Sequence, residues 1–89
     1  MKAIVTVIGK DKPSIIAGVC TLFAKNEVNI LDISQTVMQG FFTMSMLVDL
    51  TKCNVTFTEL SDALNEKGEE MGVNIRIQRE DIFDLMHRI

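Results

Sequence analysis

The spacing of apolar residues along this chain switches between a period of two and a period near 3.6, with glycines and a proline at the breaks. That alternation constrains the fold more than any single motif. Ala3, Val5 and Val7 alternate with Ile4, Thr6 and Ile8 up to Gly9, which predicts a short strand buried on both sides. After the break at residues 9–14, Ile15, Val19, Leu22 and Phe23 fall on one face with Ile16 and Cys20 beside them, an amphipathic helix ending near Asn26. Pro13 suits the first turn of that helix, where its missing N–H would go unpaired anyway. Gly18 inside the helix costs about 1 kcal/mol relative to alanine, so close packing against another element is expected there.

The period then returns to two. Leu31, Ile33 and Val37 alternate with Asp32, Ser34 and Thr36, which predicts a half-buried strand over Asn29 to Met38. Gln39-Gly40 reads as a tight turn into a return strand on which Phe42, Met44, Met46, Val48 and Leu50 share a face. Thr56 and Glu59 have capping-box spacing and open a second helix lined by Phe57, Leu60, Leu64 and Met71, with Gly72 just past its end. Val73, Ile75 and Ile77 point inward on a last strand, and Asn74, Arg76 and Gln78 outward. Ile82, Phe83, Met86 and Ile89 have helical spacing on the tail from Glu80, but a helix this short needs a surface to dock on. The order strand, helix, strand, strand, helix, strand predicts an α+β, ferredoxin-like βαββαβ sandwich. Its four-stranded antiparallel sheet carries two helices on one face, with the first and third strands central and a short C-terminal helix. At 89 residues the chain has room for one domain, spanning 1–89, and a core this small gains from self-association.

Composition narrows the function. Nine Lys and Arg against twelve Asp and Glu are scattered without a basic block, which argues against a nucleic-acid surface. Phe41 and Phe42 are adjacent and point to opposite faces, so they cannot form an RNA-stacking platform. No apolar run approaches the ~20 residues of a membrane span, and no signal peptide follows Lys2. Cys20 and Cys53 are too far apart for a CxxC pair, and His87 is the sole histidine, so no metal site, thiol–histidine pair or cofactor is expected. The break at 9–14 offers Lys10 and Lys12 but not the arginine an acyl-phosphate hydrolase would use. Met38, Met44, Met46, Met71 and Met86 read as adaptable core filler.

What remains is binding of a small molecule or of a second copy. Asp11, Lys12, Pro13 and Ser14 lead into a helix whose free N–H groups suit a carboxylate, while Asp11 can accept from an ammonium. A zwitterion fits that pattern; so does plain helix capping by Asp11 and Ser14.

The segments GKDKPSIIAGV at 9–19 and NILDISQTV at 29–37 resemble the signature of the ACT domain, and element order and spacing agree along the chain. With the tail EDIFDLMHRI, the sequence is similar to small stand-alone ACT proteins and to the ACT halves of the glycine-cleavage transcriptional repressor and formyltetrahydrofolate deformylase. The resemblance implies a regulatory module in which an amino acid binds between two copies. One copy would contribute Asp11, Pro13, Ser14 and Ile15; the other Asn29, Ile30 and Leu31. Many members carry glycine where Ser14 stands, and a side chain there narrows the approach to the backbone or supplies a hydroxyl. Dimerisation is expected on physical grounds too: the second strand is an edge with Asp32 as its single charge between Asn29 and Met38, and such edges pair. The expectation is therefore a cytoplasmic, non-enzymatic homodimer that senses an amino acid. The alternative is a dimerisation or interaction module that docks on a regulatory protein without a small ligand.

Overall fold

The computed structural model describes residues 1–10 and 14–80. Within these, β1 (Lys2–Lys10), α1 (Ser14–Lys25), β2 (Asn29–Met38), β3 (Phe41–Asp49), α2 (Phe57–Met71) and β4 (Asn74–Arg79) follow in the expected order. They form one antiparallel sheet ordered β2-β3-β1-β4, so β1 and β3 are central and β2 is an edge. This is the ferredoxin-like arrangement.

The core lies between the helices and one face of the sheet. Ala3, Val5 and Val7 from β1, with Phe42, Met44, Met46 and Val48 from β3, meet Ile15, Val19 and Phe23 from α1 and Leu60 and Leu64 from α2. Gly18 has the close neighbour its cost implied: a methyl there would stand 2.6 Å from the sulfur of Met71, where α1 and α2 pack. The α2 cap forms as its spacing requires, with Thr56 Oγ1 accepting from the Glu59 N–H and the Glu59 carboxylate accepting from the Thr56 N–H. Gln39 and Gly40 both take positive φ, 51° and 81°, the requirement of a two-residue hairpin turn whose twist matches its strands.

Several expectations need correction. β1 is buried on one side only: Ile8 is 49% exposed, because helices cover a single face of the sheet. The strand also runs past Gly9 to Lys10, paired with Phe41. β2 is exposed along nearly its whole length, with Ile33 at 43% and Val37 at 55%. Ile33 and Val37 lie on the helix side of the sheet, opposite buried Met46 and Phe42, but the helices stop short of this edge. The pairing with β3 also carries a bulge between Ile30 and Asp32, with Leu31 as its extra residue, so the alternation is interrupted there. Met38 is likewise exposed at the hairpin rather than filling the core, whereas Met44 and Met46 are fully buried. The expected C-terminal helix with Met86 and His87 lies outside the described residues.

Candidate ligand-binding site

The residues expected to bind ligand fall into two groups, and the antiparallel register separates them. β1 ends at Lys10 opposite Phe41, beside the hairpin, and α1 starts there at Ser14. β2 starts at Asn29 opposite Asp49, eight residues along β3 from Phe41. At a rise near 3.4 Å per residue, about 27 Å of sheet lies between them. A single chain therefore does not bring Ser14 and Ile15 to Asn29, Ile30 and Leu31. Ser14 is exposed, whereas the Ile15 side chain is completely buried in the core, leaving only its backbone for a ligand. Asn29 and Leu31 are exposed and Ile30 is half-buried. Asp11 and Pro13 lie outside the described residues.

A cleft of about 610 Å³ opens at the start of β2, within the range of small-molecule sites. Ala24, Glu27, Val28 and Asn29 form one wall, and Asp49, Thr51 and Lys52 the other. Hydrogen bonds fix the walls to each other: the Asn54 N–H donates to Asn26 O at 3.1 Å and its side-chain amide to Lys25 O at 3.2 Å. Asp49 Oδ1 accepts from the Thr51 hydroxyl at 2.6 Å and the Thr51 N–H at 2.9 Å, and these bonds hold its carboxyl below the usual range.

Glu27 has an unusual backbone. The N–H groups of Glu27 and Val28 donate to Ala24 O and Phe23 O, the double bond pattern that closes a helix around a left-handed residue. Glu27 is that residue, at φ 56°. Helix α2 ends the same way, but with Gly72 at φ 73°. Glycine adopts this conformation freely; a residue with a Cβ does so at a cost. Sequence periodicity passes over Glu27, Asp49 and Lys52 because they sit at element ends. The available signal was the missing glycine after α1, where the helix is expected to end near Asn26.

Among the described residues, no group of three or more His, Cys, Asp or Glu is arranged to hold a metal, and no helix is long and apolar enough to cross a membrane. Cys20 and Cys53 are unpaired and half-buried.

A family model for the ACT domain matches residues 2–78. A UPF0237 protein of Clostridium acetobutylicum is 56% identical over 89 residues, spanning the whole of both chains. Among solved structures, an ACT domain protein from Streptococcus pneumoniae superposes with a TM-score of 0.82 at 44% identity, covering 93% of each chain. The regulatory subunit of aspartate kinase from Thermus thermophilus gives 0.66 at 25% identity, over 86% of this chain and 50% of that one. A glycine cleavage system transcriptional repressor shares the fold, with a TM-score of 0.74 at 22% identity over 88% of this chain and 44% of its own.

Proposed function

The chain belongs to the ACT-domain family, and from that premise we propose that it is a non-enzymatic regulatory domain that binds an amino acid between two copies of itself. The observation that carries this reading is the separation of its two candidate half-sites to opposite ends of the sheet. A twofold axis through the exposed β2 edge would set the start of β2 in one copy beside the end of β2 in the other. It would also bring the start of the second α1 toward the Asn29 end of the first chain. Two sheets joined in this way form a continuous eight-stranded sheet. Uncovered Ile33 and Val37 supply apolar area for that contact. The helix start then presents its first-turn N–H groups and the positive end of its dipole to the ligand carboxylate. In this reading 1–89 is one functional domain, and its free cysteines suit a reducing cytoplasm.

A melting screen of the dimer against the twenty amino acids tests it. Ligand at a hundred times its dissociation constant stabilises by ~2.7 kcal/mol, a shift of order ten degrees for a domain this size. Flat curves with every amino acid, on a dimer confirmed by light scattering, would exclude the sensing role. Ile8, Met38 and Phe41, exposed on the uncovered sheet face, favour a second reading for that outcome. The dimer would then be an interaction module for a regulatory protein, and a stoichiometric partner should copurify with it.

A further inference from the structure

We propose that the cleft at the start of β2 recognises both charges of the amino acid, with the carboxylates of Glu27 and Asp49 receiving its ammonium and the Lys52 ammonium receiving its carboxylate. This rests on the amino-acid reading above and assigns the ionic contacts to residues outside the two expected half-sites. Lys52 would share the carboxylate with the start of α1 from the second copy.

Three observations converge on this cleft. Its lining carries charges of both signs beside the exposed Asn29, the complement of a zwitterion rather than of a simple cation or anion. Its walls are cross-braced through Asn54 to Lys25 and Asn26, so the charged groups stand on fixed backbone before any ligand arrives. Both hydrogen bonds to Asp49 fall on Oδ1, and Oδ2 accepts none among the described residues. The backbone of Glu27 is the independent sign. A helix end that glycine would close without strain is closed here by a glutamate, and that residue lines the cleft. Local stability gives no reason for glutamate at this position; a ligand-facing charge does.

The test separates this assignment from the reading beneath it. Wild type, Glu27→Gly and Lys52→Met are melted with each of the twenty amino acids, with propylamine and with propionate, all at 10 mM as a working concentration of roughly the millimolar dissociation range. Glu27→Gly should melt several degrees higher than wild type without ligand, because glycine relieves the left-handed backbone, so loss of its response cannot be blamed on misfolding. The expected result is a wild-type shift with at least one amino acid, none with propylamine or propionate, and about tenfold or greater loss of affinity in each variant. A full wild-type response in either variant, or a full shift from either single-charge probe, overturns the assignment while leaving amino-acid sensing intact. No wild-type shift with any amino acid overturns both.

Discussion

At Gly18 and Gly68 an added methyl group would meet opposite kinds of neighbour. The Gly18 contact is the sulfur of Met71 and the end of the Lys67 side chain, both able to swing aside. The Gly68 contact is the carbonyl oxygen of Val73 at 2.7 Å, with the backbone nitrogen of Ile75 at 3.4 Å, so α2 and β4 would have to separate. Urea denaturation should find Gly18→Ala neutral to about 1 kcal/mol stabilising, since helix propensity is gained. Gly68→Ala should cost about 1–3 kcal/mol through overpacking. The sequence drew attention to Gly18 but not to Gly68, because the reason for Gly68 is a strand that packs on it only in the folded chain.

The α2 cap makes a second prediction at this scale. Loss of the Thr56 hydroxyl by Thr56→Ala should cost about 1 kcal/mol. Hydrogen bonds from the Thr56 N–H and hydroxyl regions lower the Glu59 pKa in the folded chain. A lowered folded pKa means this contribution is complete above the ordinary glutamate range and is lost as pH falls through the folded value. Acid titration of stability should therefore show a downward slope below the ordinary range, flatter in Thr56→Ala than in wild type.

Among the elements, the β2–β3 hairpin separates what local pattern reveals from what it cannot. The strands, the turn and the inward face of β3 all follow from alternation and from Gln39-Gly40. Asparagine favours the left-handed conformation that Gln39 occupies, so Gln39→Asn should raise the melting temperature by a few degrees, without any new tertiary contact. The burial of β2 was not legible, because alternation marks two faces without saying whether a helix reaches over either. The bulge at Leu31 was hidden for a related reason, since an extra residue appears only when register with β3 is known. If β2 joins two copies, Val37→Lys should leave the fold of each chain intact, because Val37 is 55% exposed. It should also halve the mass measured by light scattering, since a charge on an edge opposes pairing.

For the whole molecule, a second copy couples stability to concentration. The wild-type melting temperature should rise with protein concentration and that of Val37→Lys should not, a comparison that calorimetry across a hundredfold dilution series would make. The amino acid expected at the interface should raise the melting temperature of the wild type across the whole series, because it stabilises only the assembled form.

The sequence by itself determined the order of elements, the inward faces of β3 and α1, the α2 cap, the hairpin turn and the family. Each is written in short-range periodicity or in a residue whose backbone preference acts locally. Tertiary structure alone decided that β2 stands uncovered and that Ser14 and Asn29 lie at opposite ends of one sheet. It also decided that Glu27, Asp49 and Lys52 line one cleft. These facts depend on the antiparallel register and on where the helices come to rest, both fixed by contacts between residues far apart in the chain, and no local pattern encodes a distance of that kind.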